Sequence, residues 1–387
     1  MVCGLGALGE AIDERDRGGK VGKAQIAHDR GVLAAPLGGV CEALLDVGVA
    51  EDGHLSWKLP PRGGPKQVRV RSCGPTVTQM RIASLVPHAT ELLFALGAGE
   101  DVCAVTHECD YPPAAATRAR LTRDVLPAGL SAGEIDAAVR ERTLGGEAIY
   151  ELDSAALAAC EPDLIVTQAL CPVCAVSYED VTAIARELPG SPRVLALDPH
   201  TLEETHADVR TVAAATAREA AGEWLLADAN TRLQRVAAAV EGLPRPRVLA
   251  LEWLDPFYVA GHWTPEMIAL AGGEDVTGLA GEPSRMALAS ELARDSLAGG
   301  APDVVLVMPC GYDAQQAAAQ ARAYAPALAC IGAQRIVAVN ASAYFSRPGP
   351  RLTDGVELLA HILHPGALRA PANADEAIAL DVLAAAR

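Results

Sequence analysis

Lysine is missing from most of this chain. All four lysines (Lys20, Lys23, Lys58 and Lys66) fall in the first 66 residues, and from Met80 onward every basic residue is one of 22 arginines. The formal charge is −17, so there is no basic field to attract a polyanion, and nucleic acid is excluded as an expected partner. No apolar run is long enough to cross a bilayer. Neither Met1 nor Met80 is followed by a basic region, an uninterrupted apolar stretch and a small-residue cleavage site. The chain is therefore expected to be cytoplasmic. Its ten cysteines then read as thiols, metal ligands or buried small residues rather than as a disulfide framework. A Gly-rich phosphate loop, a Gly-x-Ser-x-Gly elbow and a His-Glu-x-x-His motif are all absent, which removes the commonest sequence signatures of an enzyme.

Residues 1–79 also lack convincing periodicity. Gly38-Gly39 and the run Pro60-Pro61-Arg62-Gly63-Gly64-Pro65 punctuate them as loop. They hold ten basic against nine acidic residues, so the acidity belongs wholly to the remainder. This segment is expected to be an upstream extension, with Met80 as the natural start; a flexible N-terminal appendage is the other reading.

What the remainder does contain is a phrase written twice. Leu92 to Val102 reads LLFALGAGEDV and Met267 to Val276 reads MIALAGGEDV. Each is a helix tail, a glycine stop and the acidic opening of a strand. Each is later followed by a Pro-Asp strand, PDLIV from Pro162 and PDVVLV from Pro302, and then by a cysteine, Cys171 or Cys310. Strand and helix patterns alternate throughout, which predicts an α/β fold of two similar lobes, each a mostly parallel sheet covered by helices, with a ligand cleft between them. The expected divisions are a first lobe over 80–200, a helical segment over 201–244, a second lobe over 245–369 and a tail over 370–387. Leu202 to Val240 reads as almost continuous helix with Gly222 as its one weak point. The stretch between the strand ending at Thr106 and the helix starting at Ser154 reads as long and irregular.

The chemically interesting residues all follow strands, where ligands of open α/β sheets bind. His88, His107 and His262 are candidate ligands to a metal centre, or hydrogen-bonded structural residues. Glu108 and Glu252, with Asp110, offer carboxylates for acid-base work in the competing enzyme reading. Trp253, Tyr258 and Trp263 offer flat apolar faces or ordinary burial, and Cys310 and Tyr344 sit in equivalent strand-end loops. Arg347 and Arg351 clamp an anionic or amide edge, or merely organise the helix start around Pro348 and Pro350. The sharpest motif is Cys171-Pro172-Val173-Cys174. With His107 and Cys109 it supplies four N/S donors suited to zinc or copper(I); a redox dithiol and simple packing remain open beside that reading.

Four segments together resemble a known family: RIASLVPHATELLFALGAGEDVCAVTHECDYP from Arg81, LAACEPDLIVTQ from Leu157, LEWLDPFYVAGHWTPEMIALAGGEDV from Leu251, and YFSRPGPRLTDGVELLAHILHP from Tyr344. They resemble the substrate-binding proteins of vitamin B12 and iron-complex ABC importers, and most closely a cytosolic-looking branch often called cobalamin-binding protein. The resemblance spans roughly residues 80–369. It implies two Rossmann-like lobes joined by one rigid helix within Ala220–Val240, and cobalamin, another corrinoid or a related metal complex held between them without chemical change. The cargo contacts would come from the strand-end residues named above. Family members that dock on a permease carry a surface glutamate on each lobe. Ala155 and Asp295 stand at the matching positions, so one docking carboxylate is missing, and an intracellular binder, carrier or sensor is favoured over delivery to an importer.

Overall fold

The computed structural model describes residues 79–145, 147–169, 178–293 and 299–381. Apart from Gln79, the expected N-terminal extension lies outside them.

The first lobe is built on β1 (Ile82–Ser84), β2 (Val102–Val105), β3 (Ala119–Arg120), β4 (Thr122–Asp124), β5 (Tyr150–Leu152), β6 (Leu164–Gln168) and β7 (Arg193–Leu197). Five of these form a sheet in the order β3-β2-β1-β6-β7, parallel at every step, while β4 and β5 pair separately as an antiparallel ribbon. Helices α1 (Pro87–Ala95), α2 (Ala132–Leu144), α3 (Ser154–Ala159) and α4 (Tyr178–Glu187) accompany them. Strands covered on both faces carry apolar runs rather than alternation, and β6 opens on Leu164, Ile165 and Val166 and is buried along its whole length. The stretch expected to be irregular thus holds the short strand β3, the β4–β5 ribbon and α2. That helix starts at a reciprocal capping box between Ser131 and Glu134, a signal present in the sequence as Ser-x-x-Glu.

Two helices follow, α5 (Leu202–Ala215) and α6 (Glu219–Val240). The expected single helix is therefore broken, and not at Gly222. The break falls at Thr216–Arg218, where Ala217 takes a positive φ of 53° without the glycine that usually announces such a turn. Gly222 instead lets α6 lie close on α5: a Cβ there would sit 2.8 Å from the Cβ of Ala213. With 22 residues, α6 is about 33 Å long at 1.5 Å per residue. Its start packs Leu226 into the first lobe and its end packs Val236 and Val240 into the second, so it is the inter-lobe helix. Arg218 anchors it to Asp101 at 3.2 Å, and Arg232 anchors it to Asp354 and Glu357.

The second lobe comprises β8 (Arg247–Leu254), β9 (Phe257–Val259), β10 (Glu274–Asp275), β11 (Arg285–Ala287), β12 (Val304–Val307), β13 (Arg335–Val339) and β14 (Ala377–Leu380). With them go α7 (Thr264–Leu270), α8 (Ala289–Leu292), α9 (Ala314–Ala323), α10 (Ala325–Ile331), α11 (Ala341–Tyr344) and α12 (Leu352–Leu363). The strands β10, β8, β12 and β13 are parallel and repeat β2, β1, β6 and β7 of the first lobe; β9, β11 and β14 add antiparallel edges. The segment expected to be a tail supplies β14, so it belongs to this sheet. Among the described residues no helix is long and apolar enough to cross a membrane.

The written repeat has a structural counterpart down to single hydrogen bonds. In the first lobe Asp163 accepts from the backbone N–H of Arg81 at 2.8 Å, and its own N–H donates to the Arg81 carbonyl at 2.8 Å. In the second, Asp303 does the same with Arg247, again at 2.8 Å in both directions. The aspartate of each Pro-Asp strand thus pins the start of its neighbouring central strand, which sets the register of both sheets in the same way.

Candidate functional site

The loops at the carboxyl ends of the strands bring the two lobes together. From the second lobe, the segment between α11 and α12 carries Arg347 and Arg351 onto the start of α1. Arg351 donates twice to Glu91, at 2.7 and 2.5 Å, and Arg347 donates to the same carboxylate at 3.2 Å, to Asp110 at 2.6 Å and to the Glu108 carbonyl at 3.2 Å. The Arg351 guanidinium also lies 4.1 Å from the centroid of the Tyr111 ring, and 5.8 Å from that of Tyr344. The Glu91 side chain is only 1% exposed. A carboxylate buried so far needs its charge met locally, and two arginines from the other lobe meet it. Arg347 and Arg351, expected to clamp a ligand edge or to organise the helix start, here close on the protein's own acids. Burial raises the Asp110 pKa, but the hydrogen bond and charge of Arg347 outweigh this and hold it below the ordinary value.

His88 sits under that contact, 2% exposed, with its Nε2 lacking a hydrogen-bond partner. Burial, reinforced by the positive charge of Arg347, lowers its pKa to about 3, so the ring is neutral. Cys109 is core: its sulfur is 3.0 Å from each of the Thr90 and Thr106 hydroxyls, and burial raises its pKa, keeping it a thiol. His107 points its Nδ1 to Thr122 Oγ1 at 2.7 Å and tilts over Tyr150, whose hydroxyl in turn donates to Glu108 at 3.2 Å. Arg120 fixes this loop by donating to the carbonyls of Thr106 and Cys109. The described half of the expected Cys/His donor set is therefore engaged elsewhere, Cys109 with two hydroxyls and His107 with Thr122. Cys171 and Cys174 lie outside the described residues, as does Asp295. Among the described residues no three His, Cys, Asp or Glu side chains form a metal-ligand group.

On the second lobe, Trp263 takes the second of the two roles open to it, ordinary burial. It is 5% exposed and donates its indole N–H to the Phe345 carbonyl at 2.8 Å, a core residue whose polar atom is satisfied. Trp253 is half-buried, edge-on to Tyr312 at 5.7 Å, and donates across the lobes to the Ala132 carbonyl at 3.2 Å. Tyr258 also reaches the first lobe, meeting Asp136 and Arg140 of α2. His262, at φ 50°, faces His200 of the first lobe with ring centroids 5.5 Å apart; burial and the neighbouring His200 lower its pKa. Glu252 bonds Ser284, and its burial raises its pKa to about 7. Cys310 is exposed, its backbone N–H held by the Glu252 carbonyl at 3.1 Å. Tyr344 is half-buried beside Arg351. Behind the Glu91–Arg351 contact, α1, α5, α6 and α12 enclose a cavity of about 230 Å³, smaller than the roughly 300–1,000 Å³ of ordinary small-molecule pockets.

Sequence reasoning brought the strand-end residues to one interface but missed Glu91, the residue on which the arginine contacts converge. Its signal was a single acid inside the apolar helix HATELLFAL. Ala155, matched by spacing to a docking glutamate of similar proteins, is an exposed residue of α3.

The comparisons with known proteins agree with this architecture. The vitamin B12-binding protein of Vibrio cholerae serotype O1 is 24% identical over 283 residues, 72% of this chain and 86% of that protein. The crystal structure of a periplasmic vitamin B12 binding protein of Vibrio cholerae superposes with a TM-score of 0.52 at 22% identity, covering 73% of this chain and 96% of that one. A periplasmic heme-binding protein from Roseiflexus sp. RS-1 superposes at 0.54 with 22% identity, covering 75% and 100%. One from Pseudomonas aeruginosa superposes at 0.56 with 19% identity, covering 78% and 97%. The profile of the periplasmic binding protein family matches residues 82–329, more than half of the sequence, and the chain belongs to that family of substrate-binding proteins.

Proposed function

We propose that this protein binds a cobalamin-like corrinoid or a related metal complex, haem included, between its two lobes and leaves it chemically unchanged. The observation that carries the reading is the apposition of both sets of strand-end loops, with Glu108, Trp253, Tyr258 and Arg347 each bonded across the lobes, in a family whose similar members are named for vitamin B12 and heme. A helix as long as α6, anchored by Arg218 at its start and by Arg232 in its second half, limits lobe motion, so a largely preformed site is expected. We further propose an intracellular binder, carrier or sensor. Ala155, where a docking glutamate would stand, supports a role apart from an importer. The test is protein isolated from its own cells, grown with and without added cobalamin and haemin. A visible absorption band with stoichiometric cobalt or iron in the soluble cytoplasmic fraction is the expected result. Colourless protein containing zinc, or protein found outside the cytoplasm, would overturn the cargo or the location respectively.

A further inference from the structure

The helix α2 belongs to the first lobe by sequence, yet its side-chain hydrogen bonds reach the second. It is inserted between β4 and β5, the two strands of the separate antiparallel ribbon. Of its 13 residues only Ala132 is buried. Its cross-lobe bonds are specific. The Ala132 carbonyl accepts the Trp253 indole N–H at 3.2 Å; Asp136 accepts from the Tyr258 hydroxyl at 3.4 Å; Arg140 donates to that hydroxyl at 3.1 Å and reaches the Met286 sulfur at 3.0 Å. The approach is close enough that a Cβ on Gly133 would stand 2.7 Å from an Asp255 carboxylate oxygen.

We propose that α2 is a strap across the inter-lobe surface, docked on Trp253 and Tyr258, which opens as a unit while the rest of the fold stays intact. Three physical features support this. An isolated helix of this length is marginal in water, so docking is what holds it. Its docking is mostly polar and half-exposed, with Ile135 and Val139 only partly covered, which places it at the low-stability end of the molecule. The rings whose polar edges it holds, Trp253 and Tyr258, are those the second lobe would offer to a flat ligand, so cargo and strap compete for them. Only this last point rests on the function proposed above.

The experiment is hydrogen exchange of the whole chain, read by mass spectrometry, for the parent, Tyr258→Phe and Arg140→Ala. Tyr258→Phe alters the second lobe alone, so a change in α2 reports docking rather than helix propensity; Arg140→Ala is an exposed substitution on the helix itself. The expected result is that amides of residues 132–144 exchange about tenfold faster in either variant, while those of β1, β6, β8 and β12 and the thermal midpoint hold. Haemin and cyanocobalamin added as probes should associate faster with the variants. Amides of α2 that exchange only as slowly as the central strands, or at an unchanged rate in both variants, would overturn the strap. Failure of both probes to bind any form would instead remove the proposed cargo and leave the exchange result standing.

Discussion

Glu91 is the point at which the structure is most easily tested. Its carboxylate is 1% exposed and receives three hydrogen bonds from two arginines that are themselves only 12% and 15% exposed. Replacing it by alanine leaves two guanidinium groups in a site built for their neutralisation, and breaking a buried pair from one side costs about 3–5 kcal/mol. Arg347 keeps Asp110 and Arg351 keeps the face of Tyr111, so the lower end applies. We expect Glu91→Ala to lose about 3 kcal/mol, or roughly 6–12 °C in thermal midpoint at 2–4 °C per kcal/mol. Glu91→Gln, which retains the shape and one acceptor, should lose about 2 kcal/mol. The assay is thermal and urea unfolding of both variants beside the parent at low and high salt. Losses below about 1 kcal/mol, the value of an exposed ion pair, would mean that water reaches the contact and that the lobes are not locked there.

Other outcomes follow from single residues. His88 has a folded-state pKa of about 3 against an ordinary 6.5, so the folded protein binds fewer protons than the unfolded chain. Its contribution is complete above about pH 6.5 and is lost as pH falls toward 3, reaching about 2 kcal/mol by pH 5; His88→Gln should flatten the stability profile between pH 7 and 5, and an unchanged slope would contradict the burial. Gly222→Val should cost about 1–3 kcal/mol by forcing α6 off Ala213, measured by urea unfolding, and a neutral result would mean that the two helices separate freely.

Much of the architecture was legible because it was written twice. Two glycine-stopped helices and two Pro-Asp strands gave both sheets, and the aspartates Asp163 and Asp303 proved to do the same work in each lobe. The break at Ala217 was not legible, since a positive φ on alanine has no residue signature, and Gly222 drew attention for a flexibility that it spends on close packing. Nor could the sequence separate Trp253 from Trp263: both lie in the same second-lobe segment beside a polar residue, Glu252 or His262, and only tertiary packing decides which ring becomes core. Arg347 and Arg351 stood out in the sequence as a ligand clamp or as helix-entry structure, whereas their actual partner Glu91 lies 256 and 260 positions away in the chain, beyond any local pattern. The tail was misjudged because a short strand at a sheet edge looks like a loop until its partner, β13, is known.

The central claim is that the two lobes together hold one tetrapyrrole metal complex. Calorimetric and spectral titration of the full chain with cyanocobalamin, dicyanocobinamide and haemin tests it most directly. The account predicts saturable one-to-one binding of at least one of them with a shift of its visible band. No heat and no spectral change with any of the three would contradict it.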